Sequence, residues 1–333
     1  FYQEFTLDVI SKIALGQKDV RMFANPLMDQ CRQIFSMFGQ SYLSSSDRPL
    51  QIQRKLHLHC YSYRAYYKET ANVRPPEARR QFSWTILEAG SPSSGDFINI
   101  SLDAEVDAAE IPSVGDSTVS RKLVFDEVLM LCFVMLLAGF ETTANSLSYL
   151  THFLANNPDV QERIHEEIEA VCPGKSGIIF QSIAYDDLIE LKYTAAVIKE
   201  SLRHYPLASF VVFRVCQKAT SLGGIPVQIG DNVLTDTWSM HMDREIWGED
   251  AEEFRPERWL EESSSRPRVA FQSFGEGPRM CIGMRLAYVE EKMAIAHMLK
   301  NFRIVKCETT NPIKLVGSLT VAPARVDVFL EKR

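Results

Sequence analysis

A single cysteine set among glycines constrains this chain more than any other feature of its sequence. Cys281 lies in the stretch Phe-Gly-Glu-Gly-Pro-Arg-Met-Cys-Ile-Gly, residues 274–283, directly before a predicted amphipathic helix. Glycines let backbone N–H groups approach an anion closely, and a helix N-terminus favours a thiolate over a thiol. Arg279 offers a fixed cation to a nearby carboxylate. The stretch predicts a metal-binding thiolate, and a buried free cysteine in a glycine-rich turn stays open as the alternative.

Composition excludes several classes of protein. The chain has 333 residues, of which 46% are apolar, so it can bury a sizeable core and is not a low-complexity protein. Its formal net charge of −7 argues against a surface that holds nucleic acid. The seven cysteines are scattered and form no CxxC pair, which argues against a disulfide scaffold or zinc ribbon and favours a reducing compartment.

Periodicity predicts a mainly α chain with a small β portion, folded as one domain over residues 1–333. Helices are expected at about 125–155, 158–171, 186–204 and 284–299, and strands within 207–237 and 313–331. In the second helix Asn157 is the expected N-cap, Pro158 the first residue, and Glu166, Glu167 and Glu169 are expected to face water. Residues 103–122 are expected to form an acidic linker.

Two further sequence features bear on whether the protein is attached to a membrane. The most apolar run, Val128–Phe140, has thirteen residues, which is short for a bilayer span and predicts a buried helix. The chain begins at Phe1 with a pattern typical of a helix interior, so we expect a fragment of a longer protein.

A second unusual stretch, Ala-Gly-Phe-Glu-Thr-Thr, occupies residues 138–143 inside the first long predicted helix. Glycine in a helix interior costs about 1 kcal/mol relative to alanine, so this position needs a reason. One reading is a helix bent for packing, with threonine bonding back to a carbonyl. The other is that small residues admit a flat cofactor while Glu141 and Thr142 deliver protons.

Residues 274–283 match, at every defined position, the signature F-x-x-G-x-R-x-C-x-G, and the chain resembles the cytochrome P450 family of haem-thiolate monooxygenases. The resemblance implies that Cys281 is the axial thiolate ligand of the iron of haem b. It implies that Arg279 binds a haem propionate, and that Phe274, Gly277 and Gly283 shape the loop beneath the porphyrin. The cytochrome P450 fold is implied with it, its N-terminal helices and membrane anchor missing from this chain.

A Glu-x-x-Arg pair and a Pro-Glu-Arg segment precede the cysteine stretch in the family's order. The resemblance implies that Glu200, Arg203 and Arg258 form a buried network that locks the loop under the haem. Trp259 stands where the family more often has Phe, and Ala251 where Pro is common. Neither residue is assigned a part in the site.

The remaining implied site residues are carried over from less specific segments. Thr142 is the implied oxygen-activating hydroxyl, Glu141 its proton source, and Ala138 the small residue beside the haem, while Arg214 is expected to reach a second propionate. The expected substrate-lining residues are Ala208, Ser209, Phe210, Val211, Ser318 and Leu319. His241 is expected to be structural, because no second His or Cys has a zinc-like spacing.

The amino-acid sequence around the motifs is most similar to that of the animal microsomal clan of drug- and steroid-oxidising enzymes that includes thromboxane synthase. This implies hydroxylation of apolar small molecules (a steroid, lipid or xenobiotic) with O₂ and electrons from NADPH through a flavin reductase. It also implies the cytosolic face of the endoplasmic reticulum membrane. Two alternatives stay open: a haem-thiolate isomerase of lipid peroxides, which the Glu141–Thr142 pair argues against, and a non-catalytic remnant of a partial gene.

Overall fold

The computed structural model describes residues 1–15, 25, 28, 31–32, 97, 100–101, 122–123, 125–173, 183–208, 213–261, 266–317 and 320–333. The helices are α1 Tyr2–Leu15, α2 Phe125–Asn156, α3 Pro158–Val171, α4 Tyr185–Glu190, α5 Lys192–His204, α6 Thr237–Met242, α7 Arg244–Trp247 and α8 Met284–Asn301. Single 3₁₀ turns cover Pro256–Trp259, Arg268–Ala270 and Gly277–Arg279. Apart from Lys122, the predicted acidic linker at 103–122 lies outside the described residues, as do residues 33–96.

The strands of the described residues are short and form antiparallel pairs. They are β1 Phe213–Val215, β2 Thr220–Leu222, β3 Ile225–Val227, β4 Asn232–Leu234, β5 Phe302–Lys306, β6 Leu315–Gly317, β7 Val321–Pro323 and β8 Val328–Lys332. They pair as β1–β4, β2–β3, β5–β8 and β6–β7. The expected mainly α class with a small β portion is therefore confirmed, and β5 is a strand that the sequence pattern did not predict.

The described chain divides into two compact units, and the boundary falls inside α2, between Glu141 and Thr142. In the first unit, α1 packs directly on the first part of α2. The Thr6 hydroxyl donates to the Phe140 carbonyl at 2.7 Å. A Cβ added at Gly139 would lie 2.7 Å from side-chain carbons of Ile10, so a larger residue would clash with α1. Close packing of two helices thus explains this helix-interior glycine.

In the second unit, which holds Tyr2 and Thr142–Arg333, α5 contacts α3, α6, α8 and the Pro256–Trp259 turn. Its start differs from the prediction of one helix over 186–204. The backbone leaves the helical region at the fully buried Leu191, with φ −72° and ψ 76°, and a new helix begins.

The physical reason for this break is a carboxylate from α3. Glu167 accepts hydrogen bonds from the backbone N–H groups of Tyr193 and Thr194, at 2.6 and 2.8 Å, and from the Thr194 hydroxyl at 2.7 Å. A carboxylate at a helix N-terminus satisfies its unpaired N–H groups and complements the helix dipole. The expectation that Glu167 faces water was therefore wrong, because it caps α5 instead.

The start of α3 also differs from the prediction. Pro158 is at the first helical turn as expected, but the Asn157 side chain makes no cap. Its amide instead donates backwards to the Phe153 carbonyl at 2.8 Å, which satisfies the end of α2.

The helix α2 is longer than the apolar run that the sequence emphasises. Its segment Met130–Asn156 has 27 residues and is long and apolar enough to cross a bilayer by length and composition. The most apolar window of this segment is 44% buried against the rest of the structure, and the core helix of a folded domain passes the same test.

Candidate functional site

Cys281 lies in an exposed loop whose backbone turns back on itself. The Cys281 N–H donates to the Phe274 carbonyl at 2.8 Å, which closes the loop. Gly275 and Gly277 take φ values of +71° and +78°, a left-handed conformation that disfavours other residues. Phe274 is half-buried and its ring packs against Tyr288 of α8, with centroids 5.3 Å apart.

The thiol itself is free and exposed, which contradicts the alternative of a buried cysteine in a turn. Apolar side chains flank it, since Met280 is 43% exposed and Ile282 is 82% exposed. Arg279 is exposed on the same turn. A Cβ at Gly283 would lie 3.9 Å from the Cys281 sulfur, an ordinary van der Waals contact, so Gly283 directly adjoins the sulfur. A soft ligand beside apolar side chains and a cation fits a flat apolar metal complex that carries acid groups.

The structure brings Glu200, Arg203 and Arg258 together, with their side chains essentially fully buried. Arg203 binds both oxygens of Glu200, with Nη2–Oε1 at 2.8 Å and Nε–Oε2 at 3.0 Å. Arg258 Nε donates to Oε1 at 3.0 Å. Two guanidinium groups that share one carboxylate can satisfy its oxygens inside a low-dielectric interior.

The charge of Glu200 is maintained against strong desolvation. Burial by itself would raise the pKa of Glu200, but the approach of His204, the hydrogen bonds of Arg203 and the charges of Arg203 and Arg258 together hold it well below its ordinary value. The carboxyl is therefore ionised at neutral pH, and it offsets one of the two positive charges, while Arg258 also pairs with Asp250 at 3.4 Å.

Two further groups bind Glu200 that sequence reasoning missed. The Arg255 backbone N–H donates to Oε1 at 3.1 Å, and the Trp259 indole N–H donates to Oε2 at 2.9 Å. The Pro-Glu-Arg-Trp motif shows only that Trp259 follows Arg258, and the direction of its ring depends on the 3₁₀ turn at Pro256–Trp259. The available signal in the sequence was a tryptophan, which carries an indole N–H donor, directly after Arg258, an arginine expected to be buried beside Glu200.

His241 connects this network to the start of the cysteine loop. Arg203 Nη1 donates to the His241 carbonyl at 2.7 Å, and His241 Nδ1 lies 3.1 Å from the Arg203 carbonyl. The Gln272 N–H donates to His241 Nε2 at 3.0 Å, which requires the neutral ring with its proton on Nδ1. Burial lowers the pKa of His241 to about 4, in agreement with that form.

One more hydrogen bond anchors the residues that lead into the loop. The Ser273 hydroxyl donates to the Leu202 carbonyl of α5 at 3.0 Å. Gln272 and Ser273 are therefore attached to α5, directly and through His241, immediately before Phe274.

The predicted distal residues lie on α2. Ala138 is exposed, while Glu141 and Thr142 are half-buried. Ala138 and Thr142 are four residues apart and share one face of the helix. Gly139 lies on a different face, because the space that a Cβ at this position would occupy is filled by the Ile10 side chain.

Tyr2 of α1 bridges the second part of α2 and α8. The Tyr2 hydroxyl lies 2.7 Å from Thr151 Oγ1 and 3.6 Å from Met298 Sδ. Nearer the N-terminus of each helix, Ser146 lies near Glu291 without a hydrogen bond between them, and burial raises the pKa of Glu291 to about 8. The order of these contacts shows that both helices run in the same direction.

This register places Thr142 and Cys281 toward the same end of the helix pair. Thr142 precedes Ser146 by one helical turn, about 6 Å along the axis. Cys281 lies just before the first turn of α8, ten residues before Glu291.

The other predicted residues are less informative. Arg214 is exposed in β1, opposite Val233 of β4. Ala208 is half-buried in the turn after α5. Ser209, Phe210, Val211, Ser318 and Leu319 lie outside the described residues, so their expected place along a substrate cavity stays a prediction.

The buried network generates a stability prediction. Glu200→Gln keeps the side-chain shape but leaves the buried Arg203 guanidinium without its counter-charge and Arg258 with only Asp250, 3.4 Å away, so the free energy of unfolding should fall by about 3–5 kcal/mol. Because the pKa of Glu200 is lower in the folded state than in the unfolded state, this loss should shrink as pH falls below about 4. Denaturant titration of both proteins at several pH values measures it.

Glu249→Gln is the control, because that side chain is 91% exposed and its ion pair with Arg244 should contribute less than about 1 kcal/mol. Equal unfolding free energies for wild type and Glu200→Gln at pH 7 would show that the network does not carry the fold.

Comparison with known proteins identifies a family and several related sequences. The family model described as cytochrome P450 matches residues 1–328. Over the whole chain, it is 41% identical to putative cytochrome P450 CYP13A10 of Caenorhabditis elegans, across 354 aligned residues. It is 40% identical to putative cytochrome P450 CYP13A2 and 38% identical to putative cytochrome P450 CYP13A4 of the same organism, each again over the whole chain.

The chain spans 66% of the length of each of these relatives. The match nevertheless includes all the motifs described above, from α2 through the Glu200 network to the cysteine loop. The chain belongs to the cytochrome P450 family.

Proposed function

We propose that the protein is a haem-thiolate monooxygenase in which Cys281 ligates the iron of haem b. The observation that supports this most is an exposed, free thiol in a loop whose approach is tied to a buried ionic network. A cysteine that served only the core would be buried, as Cys132 and Cys172 are.

The residues around Cys281 fit the group. Met280 and Ile282 offer apolar surface, and Arg279 and Arg214 are the exposed cations proposed to bind the propionates. Gly283 adjoins the sulfur. Haem bound through a thiolate supplies O₂ activation, since electron donation from sulfur favours O–O cleavage.

The contribution of α2 is proton delivery. The Thr142 hydroxyl can donate a proton and accept one in return, and the Glu141 carboxyl, which is half-buried, can restore it from solvent. The register of α2 on α8 supports this role, because it brings Thr142 toward the end of the helix pair at which Cys281 lies.

The substrate class that we propose is an apolar small molecule: a steroid, a lipid or a xenobiotic. NADPH is the proposed source of electrons, delivered by a flavin-containing cytochrome P450 reductase. The proposed location is the cytosolic face of the endoplasmic reticulum membrane. Family membership supports these assignments.

The ligand assignment predicts a spectroscopic result. Cys281→Ser should abolish the red-shifted Soret band of the reduced, CO-bound protein, because that band reports a thiolate on the iron. The absorption spectrum of each purified, haem-reconstituted variant measures it.

Cys216→Ser is the matched control, since Cys216 also follows an arginine-bearing segment and has a partly exposed thiol. Loss of the band in the Cys216 variant with its retention in the Cys281 variant would overturn the assignment.

The proton-delivery role predicts a loss of coupling. Thr142→Ala should still bind haem and an apolar compound chosen by its binding spectrum, but should release hydrogen peroxide in place of product. General acid catalysis contributes typically ~10²–10⁴-fold, so product per NADPH consumed should fall strongly. Parallel assays of NADPH, peroxide and product measure it.

Thr142→Ser retains a hydroxyl and should restore coupling. If Thr142→Ala and Thr142→Ser are coupled equally well, the hydroxyl has no part in proton delivery and Thr142 serves packing alone.

A further inference from the structure

The Glu200 carboxylate is oriented by an aromatic ring as well as by arginines. Oε2 accepts from Arg203 Nε at 3.0 Å and from the Trp259 indole N–H at 2.9 Å. Each oxygen thus has at least two donors, because Oε1 accepts from Arg203, Arg258 and the Arg255 N–H. The indole donor is rigid, so it restricts rotation of the carboxylate about its last bond.

The same ring contacts the segment that leads to the cysteine loop. Trp259 meets Phe271 edge to face, with ring centroids 4.9 Å apart. Phe271 in turn stacks on His241 at 5.4 Å and directly precedes Gln272, whose N–H binds His241. Trp259 is thus in contact with both the buried carboxylate and the approach to Phe274.

Trp247 provides an internal comparison. Its ring belongs to the same aromatic cluster, 5.3 Å from Trp259, and its indole N–H is also engaged. That N–H donates to the neutral Met240 carbonyl at 3.0 Å and not to Glu200. The two tryptophans therefore belong to one aromatic cluster, Trp247 buried and Trp259 partly buried, and differ in what their N–H groups bind.

We propose that Trp259 is a positioning residue that sets the orientation of the Glu200 carboxylate and, through Phe271, holds the Cys281 loop so that the sulfur stays a thiolate ligand. This rests on the proposed function, in which Cys281 binds haem iron. Arg203 and Arg258 supply the charge that Glu200 needs, and Trp259 connects that charge to the loop.

The test compares Trp259→Phe with Trp247→Phe in the full chain loaded with haem. Each substitution deletes one indole N–H and keeps an aromatic ring. In dilute guanidinium, the red-shifted Soret band of the CO complex should decay about tenfold faster in Trp259→Phe than in wild type, the factor that one hydrogen bond to a charged group supplies. Trp247→Phe should decay at close to the wild-type rate.

A second readout requires no haem. Removal of one donor from Glu200 raises the pH at which the carboxyl protonates in the folded state, so the acid unfolding midpoint of the haem-free chain should move upward in Trp259→Phe. It should stay in place in Trp247→Phe. Circular dichroism measures both variants.

Phe271→Leu keeps the experiment informative if Trp259→Phe folds poorly. It breaks the ring contact but leaves every donor to Glu200, so it should speed the loss of the Soret band without moving the acid midpoint. Equal behaviour of the Trp259 and Trp247 variants in both readouts would overturn the proposal. A wild-type chain without the red-shifted band would contradict the proposed function instead, and the acid midpoints would still decide whether Trp259 orients Glu200.

Discussion

One buried carboxylate determines how the second unit is assembled. Glu200 has no exposed side-chain surface, and an ionised carboxylate in that position is tolerated only if its oxygens are fully hydrogen-bonded. Its donors come from α5 itself and from the segment 255–259, which are far apart in sequence. These segments must therefore come together in one arrangement, because a partial set of donors would leave a buried charge unpaired.

That constraint reaches the exposed loop through a few polar contacts. Arg203 and His241 exchange hydrogen bonds, and His241 and Leu202 then bind Gln272 and Ser273. A flexible glycine-rich turn thus begins from a fixed point, so that Cys281 can be exposed and yet held in place. Rigid support for an exposed ligand is what a metal site requires, since supporting contacts orient the ligand.

Features that depend on local pattern were predictable, and features that depend on distant partners were not. The helix 158–171 and the i,i+3 neighbours Glu200 and Arg203 follow from spacing alone. The break at Leu191, by contrast, depends on Glu167 of another helix, and the role of Trp259 depends on a carboxylate 59 residues away. Gly139 shows the same limit, since its pattern allowed a cofactor or a packing reason and only Ile10 decides between them.

If the folded chain presents the Cys281 thiol to haem iron, as we propose, haem binding should protect that thiol from alkylation. The haem-free full chain is titrated with haemin, alkylated briefly, and each cysteine is quantified by mass spectrometry. Cys216 and Cys307, which are partly exposed free thiols, report general accessibility. We expect stoichiometric protection of Cys281 with unchanged alkylation of Cys216 and Cys307. Alkylation of Cys281 that haemin does not reduce would contradict it.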